Sequence, residues 1–264
     1  MSVKSLGEPI AGTGNLYAWG EGQILKLFGS EAPAGWVEHM AQVDQALHAA
    51  GLPVPAVEGP IEIDDALGLI YERIEGATLA QELLGSPDIT PETIVRLAHI
   101  FAEVHAQIHA CGPIAELPDQ RSLFPRVIQG IDVLPADLKE ATLKALEDLP
   151  PGRQLCHGDF HPYNVLQSPR GPIVIDWNNA HIGNPLEDVA RSTLMLAGAR
   201  VSEGVPEAPV AAFNEAYLER YFQLRPGDRQ ELAAWEPIVA AVRLCDNIPQ
   251  LEEWLLDKVR TGLS

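Results

Sequence analysis

Basic residues are scarce: 18 lysines and arginines stand against 37 aspartates and glutamates, a formal net charge of −19. A field of that sign repels nucleic-acid phosphates and anionic lipid head groups. The chain is therefore expected to have no nucleic-acid and no membrane partner, and its charge leans towards a cationic one. Cysteine is equally sparse. Cys111, Cys156 and Cys245 are far apart and form no Cys-x-x-Cys pair, which excludes a disulfide framework and a cysteine zinc site and fits a reducing compartment. Long apolar runs are missing too. None approaches the ~20 residues that span a bilayer, and the segment MSVKSLGEPIAGTGN has no apolar stretch of signal-peptide length. A cytoplasmic location is the expectation. There is no fixed-period repeat, low-complexity tract or like-charge block. What is present is ordinary for a folded chain: 264 residues, 46% hydrophobic and 21% charged, enough for one large domain or two lobes.

The pattern changes along the chain. Apolar alternation over Leu16 to Trp19 and the run Ile24 to Phe28, cut by Gly20 and Gly22, predict hairpin strands. Trp36, Met40, Val43, Leu47 and Ala50 fall at helical spacing between Pro33 and the stop at Gly51 and Pro53. Extended segments are expected near Val54 to Glu58 and Gly68 to Arg73, with Asp64 and Asp65 in the turn between them. From Thr90, an N-cap followed by Pro91, the chain reads as helical: one face carries Ile94, Leu97, Phe101, Val104, His105 and Ile108. Further helices are predicted near residues 136–149, 185–196, 208–222, 229–245 and 249–259. Residues 154–177 break the trend, with short apolar stretches at Val165 to Leu166 and Ile173 to Ile175 about a turn at Pro169 to Pro172. A small strand-rich lobe and a larger helical one thus meet near Arg73 to Thr78, and ligands commonly bind where lobes meet.

The interrupting segment carries chemistry. It reads His157-Gly158-Asp159-Phe160-His161-Pro162-Tyr163-Asn164 and, after a second strand, Ile175-Asp176-Trp177. Phosphoryl transfer needs a hydroxyl nucleophile in line and cations that neutralise phosphate oxygens. An aspartate can take the hydroxyl proton while an asparagine and a second aspartate hold magnesium. Asp159 and Asn164 are five apart, the spacing of the kinase catalytic loop, and a hairpin can return Asp176 to that loop. In the N-terminal part Lys26 lies within Ile24-Leu25-Lys26-Leu27-Phe28 and is the only lysine between Lys4 and Lys139. A lysine in an apolar strand asks for an anion, unless it is an edge residue reaching back to water.

These residues resemble the aminoglycoside phosphotransferase and choline kinase family, small-molecule relatives of the protein kinases. His157 to Asn164 is similar to the family's HGD-x-x-x-x-N loop, Ile175-Asp176-Trp177 to its metal-binding IDW, and Gly183 to Ala190 to the G-x-P-x-x-D-x-A that follows. The resemblance implies an α+β, protein-kinase-like, two-lobed fold: a small antiparallel-sheet N-lobe with one helix over residues 1–75 that binds nucleotide, and a larger, mainly helical C-lobe over 76–264 with the catalytic loop and substrate site. It implies Asp159 as catalytic base, Asn164 and Asp176 as magnesium ligands, and Asp188 as a brace of the loop. Lys26 would meet the ATP phosphates beneath a hairpin containing Gly12 and Gly14, and the Glu72 carbonyl and Ile74 amide would read the adenine edge. The function implied is an ATP- and Mg2+-dependent transfer to a hydroxyl of a small molecule, an aminoglycoside-like compound, an amino alcohol or a sugar.

The chain also departs from that pattern. The helix glutamate that should pair with Lys26 is expected eleven residues before Gly51, where Met40 stands; Glu38, two residues earlier, is the candidate to reach Lys26 at the nucleotide site through a shifted register, the alternatives being a missing ion pair or a plain surface glutamate. Met40 motivates the alternative of a catalytically silent nucleotide-binding regulatory module, against which the intact Asp159, Asn164 and Asp176 argue. Asp246, Glu252, Glu253 and Asp257 either line a pocket for a cationic acceptor or form ordinary solvated helix faces. His105 and His109, four apart but without the glutamate of a His-Glu-x-x-His motif, are expected to be structural.

Overall fold

The computed structural model describes residues 6–10, 14–29, 32–86, 88–202 and 204–263. In chain order the elements are β1 (Leu16–Trp19), β2 (Gln23–Leu27), α1 (Ala34–Ala49), β3 (Val57–Ile63), β4 (Ala66–Glu72), α2 (Leu79–Leu84), α3 (Pro91–Ala110), α4 (Gln120–Gly130) and α5 (Ala136–Asp148). There follow β5 (Gln154–Cys156), β6 (Val165–Ser168), β7 (Gly171–Val174), β8 (His181–Gly183), α6 (Pro185–Ser202), α7 (Glu207–Leu224), α8 (Arg229–Arg243) and α9 (Pro249–Gly262). Short 3-10 turns close residues 162–164 and 244–246. Two compact units result, one from residues 1–78 with 165–178, the other from 79–164 with 179–264. No described helix is long and apolar enough to cross a membrane.

In the first unit the four strands form an antiparallel sheet of order β1-β2-β4-β3. Strand alternation sorts the side chains of β2 between its two faces. Leu25 and Leu27 pack with Ile63 and Ile70 on one face. Lys26 is paired in register with Leu69, and Leu69 lies under Val37, Met40 and Ala41 of α1 on the other. β3 runs over Val57–Ile63 rather than near Val54 to Glu58, and includes Pro60 beside a register shift; an edge strand tolerates a residue that cannot donate to the ladder. The β6–β7 hairpin follows the helical segments in sequence yet bonds to this unit, through Gln167 N–H to the Ala77 carbonyl (2.8 Å) and Val174 N–H to the Pro53 carbonyl (2.7 Å). Gly76 is needed at that junction, since a Cβ there would stand 1.8 Å from the Gln167 oxygen.

The second unit is helical. Thr90 caps α3 by accepting from Thr93 N–H, with Pro91 in the first turn. α3 packs along α7 through Phe101, which stacks on Phe160 (4.3 Å between centroids) and meets Phe213 and Tyr217. Two helices have no counterpart in the sequence reading: α2 is only six residues long, and α4 contains Pro125 and ends on Gly130, so neither shows a clean apolar period. β5 and β8, three residues each, pair antiparallel and bring together the stems of the two polar motifs.

Candidate active site

β2 continues its alternation into function. Ile24, Lys26 and Phe28, two apart, line a cavity of ≈ 780 Å3 in the first unit, with Met40 and Asp44 from α1, Tyr71, Glu72 and Ile74 from the end of β4 and its exit, and Ile175, Asp176 and Trp177 after β7. That volume suits a small organic ligand such as a nucleotide. Lys26 Nζ lies 3.1 Å from Asp176 Oδ1, so the anion its apolar strand calls for is present. Asp176 adopts φ +67, a left-handed conformation rare outside glycine and characteristic of functional loops, and it also accepts a hydrogen bond from Asn178 Nδ2. The Ile74 N–H, on the wall of the cavity, makes no hydrogen bond to any described residue; a planar ligand edge can take it.

One turn beyond Met40, and so on the same helix face, Asp44 is buried and its Oδ2 accepts from Tyr71 O–H at 2.7 Å. Burial pushes its carboxyl up from 3.8 to about 6, against the pull of the Tyr71 hydrogen bond and of Lys26. Glu38 is exposed and does not line the cavity. Two residues along a helix turn the side chain to the opposite side, so Glu38 is the wrong carboxylate in α1 and Asp44 is the one held near Lys26.

In the second unit the catalytic-type loop hangs on Asp188. Its Oδ2 accepts from His157 N–H (2.6 Å) and its Oδ1 from Gly158 N–H (3.0 Å). The same carboxylate faces His105 Nε2 at 3.1 Å and His109 Nε2 at 3.2 Å, while the Nδ1 atoms lie 2.7 Å from the Tyr217 and Tyr221 hydroxyls. A carboxylate only accepts, so each Nε2 carries the proton and each Nδ1 accepts from a tyrosine. Burial, with the neighbouring His109, drives His105 down to about 3 despite Asp188, and burial lowers His109 likewise. Burial alone would raise Asp188, but the hydrogen bonds from the two histidines hold it well below the usual range. Gly158 has φ +75, and a Cβ on it would meet the Asn179 carbonyl oxygen at 2.1 Å.

That frame presents Asp159. Its carbonyl accepts from Asn164 Nδ2 at 3.0 Å, its Oδ2 faces His161 Nε2 at 3.4 Å and its Oδ1 faces Arg191 at 3.6 Å. Burial would raise this carboxyl, but the His161 hydrogen bond and charge, with Arg191, bring it to about 2. Asp159 is thus an ionised acceptor at any working pH. It lines a second cavity of ≈ 370 Å3, with Asn179, Arg243 and Asp246 at the polar end and Leu83, Met195, Leu196 and Val210 along the walls.

Of the residues picked from the sequence, Lys26, Asp176, Glu72 and Ile74 line one cavity, and Asp159 and Asn164 are bonded to each other in the loop. Gly14, at φ +70 in open space, precedes Asn15 and Leu16 on the cavity wall. Gly12 lies outside the described residues. Among the acidic residues of the last helices, Asp246 reaches a cavity, whereas Glu252, Glu253 and Asp257 are exposed. Nothing in the sequence pattern marks Arg191 or Arg243, whereas Asp44 carries one signal, its four-residue step from Met40. For a metal, Asp176 offers a carboxylate and Asn164 its Oδ1, left over once Nδ2 is given to Asp159. Each, taken by itself, is the kind of hard oxygen that magnesium takes.

Comparison with known proteins adds the rest. The profile of the phosphotransferase enzyme family matches residues 11–235. Viomycin phosphotransferase of Streptomyces vinaceus is 27% identical over 212 residues, which cover 69% of this chain and 72% of that protein. Aminoglycoside 3'-phosphotransferase of Streptomyces fradiae is 28% identical over 212 residues, 72% of this chain and 74% of its own. The crystal structure of a thermostable mutant of aminoglycoside phosphotransferase APH(4)-Ia, a ternary complex with ADP and hygromycin B, superposes with a TM-score of 0.64 at 22% identity, covering 94% of this chain and 88% of that one. The last of these establishes the protein-kinase-like fold, and the family match, spanning far more than half of the sequence, establishes the rest: the chain belongs to the phosphotransferase enzyme family, transferases that pass a phosphoryl group to an alcohol.

Proposed function

We propose that the protein is an ATP- and Mg2+-dependent kinase that phosphorylates a hydroxyl group of a small molecule, an aminoglycoside-like compound, an amino alcohol or a sugar being the classes the family relationship suggests. The observation that carries the reading is the Lys26–Asp176 ion pair on the wall of a nucleotide-sized cavity. Support for the nucleotide comes also from the ADP bound by the related APH(4)-Ia. Residues 1–75, with the 165–178 segment that joins their unit, would supply the nucleotide-binding lobe and the rest of 76–264 the acceptor-binding one, and dependence on ATP suits a cytoplasmic enzyme.

Lys26 meets the α/β-phosphates, with Asp44 as the carboxylate that α1 offers it in place of the missing glutamate at Met40. Adenine is taken by the Glu72 carbonyl and the Ile74 N–H at the end of β4. Asp176 and Asn164 would hold magnesium, which when bound neutralises charge on the phosphate oxygens. Asp159 accepts the acceptor hydroxyl's hydrogen bond and aims its oxygen. The O–P bond forms as the bond from the γ-phosphorus to the bridging oxygen breaks, ADP leaves, and the proton ends on an Asp159 oxygen. A base of pKa about 2 is weak, so it takes that proton late, as a loose transition state allows. Asp188, through the His157 and Gly158 amides, keeps the loop in place.

Thermal melting with ATP and magnesium, alone and then with a panel of aminoglycosides, amino alcohols and sugars, tests the reading. A magnesium-dependent rise in Tm accompanied by ADP release in the presence of an acceptor is expected, because ligands that bind only the folded state stabilise it. A nucleotide shift without any hydrolysis or transfer would point to the silent module, and no shift at saturation would refute the ATP site.

A further inference from the structure

The charge of the whole chain and the charge of its acceptor cavity differ. Although the chain carries −19, the acids and arginines lining the ≈ 370 Å3 cavity beside Asp159 are that carboxylate, Arg243 and Asp246. Both carboxylates are already faced by guanidinium groups. Arg191 stands 3.6 Å from Asp159 and 3.4 Å from Asp246, and Arg243 stands 3.5 Å from the same Asp246 oxygen. Two acids and two arginines cancel, and a polyamine entering here would have to displace arginines from their partners.

Arg243 is the under-compensated member. Its side chain is only 12% exposed, and among the described residues it makes one long ion pair and no hydrogen bond, with Nε closed off from solvent and unpartnered. A guanidinium has five N–H donors in a planar fork. A cation held this deep with so little returned to it lacks a partner of opposite charge; burial and the neighbouring Arg191 also push its pKa below the ordinary value. Arg243 lines the cavity, so an occupant can supply that partner, and a carboxylate matches the fork in shape and charge. The walls, Leu83, Met195, Leu196, Val210 and Ile248, ask for hydrocarbon. The volume lies within the range of small-molecule sites.

Resting on the kinase reading above but departing from the acceptor classes that the family relationship suggests, we propose that the acceptor is a hydroxy acid: a small molecule whose hydroxyl meets Asp159, whose apolar body lies on the Met195 and Val210 walls, and whose carboxylate is received by Arg243. The test uses the full chain with ATP and magnesium and a graded series of ω-hydroxyalkanoates, their methyl esters, ω-amino alcohols of equal length, and an aminoglycoside. Transfer is read as ADP release and as the phosphorylated product by mass. The acid should exceed its ester and the matched amino alcohol by about tenfold or more in kcat/KM at the best length. In Arg243→Gln the acid-to-ester ratio should fall to near unity. Arg243→Lys, which keeps the charge and loses the fork, should retain part of it, and serves as the test if the glutamine variant fails to fold.

A better reaction with amino alcohols or the aminoglycoside overturns the proposal. So does an Arg243→Gln protein that loses acid and ester alike, since Arg243 would then serve the transferred phosphoryl group. In either case an intact magnesium–nucleotide melting shift leaves the kinase reading standing, whereas absence of that shift in the unaltered protein would remove the kinase reading itself.

Discussion

Replacing Asp44 by asparagine should make the protein more stable and less active. Asp44 is 8% exposed, and burial lifts its carboxyl from 3.8 to about 6 in the folded state. The sign follows from proton binding: between those values the unfolded chain releases the proton first, so stability falls as pH rises through the window and stays lower above it. The shifted carboxyl costs the fold about 3 kcal/mol at pH 7.5, where it is ionised, and about 1 kcal/mol at pH 4.5, where the fold keeps it protonated while the unfolded chain ionises. Asparagine has the same shape, keeps an oxygen for the Tyr71 hydroxyl (2.7 Å) and carries no charge at any pH. Urea denaturation of the two proteins at both pH values measures the difference directly, and Asp44→Asn should gain ~3 kcal/mol at the higher pH and ~1 kcal/mol at the lower. A charge kept at that cost marks a functional position, so the same variant should lose turnover by on the order of tenfold as Lys26 loses a neighbouring carboxylate. An equal gain at both pH values, or a variant less stable at pH 7.5, would refute the argument.

Other substitutions probe the remaining links. Asp159→Asn should lower kcat by about 100-fold or more while the nucleotide melting shift persists; a wild-type rate would reject Asp159 as base. Gly158→Ala, at φ +75 and with a Cβ 2.1 Å from a carbonyl oxygen, should cost several times as much stability as Gly14→Ala, at φ +70 in open space, for which strain alone predicts about 1–2 kcal/mol; comparable unfolding midpoints would contradict the close contact. His105, lowered to about 3, takes up a proton in the unfolded chain before it does in the folded one, so its contribution to stability is full above about 6.5 and drains away as pH falls towards 3. Tm should accordingly drop between pH 7 and pH 5, and the drop should lessen in His105→Gln; an unchanged slope would remove the histidine from the account.

Much was legible because short-range chemistry wrote it. The Asp159 and Asn164 spacing, the lone Lys26 in an apolar strand and the capped run from Thr90 each depend on near neighbours, and the structure displays a helix at Pro91–Ala110 and a strand at Gln23–Leu27. The sequence could not say which acid of α1 approaches Lys26. Glu38 is nearer in number to the expected position, but helical rotation turns it outward and brings in Asp44, a choice made by the packing of Met40 on Leu69. Nor could it say that residues 165–178 bond to the strand-rich unit, because that rests on backbone hydrogen bonds to Ala77 and Pro53, distant in sequence and independent of side-chain identity. The charge of the acceptor cavity was hidden for the same reason: the overall −19 is a sum over the chain, whereas Arg191, Arg243, Asp159 and Asp246 come from different segments and neutralise one another only once the helices are packed. Local pattern thus determined the elements and the loop, and tertiary packing decided which charges meet.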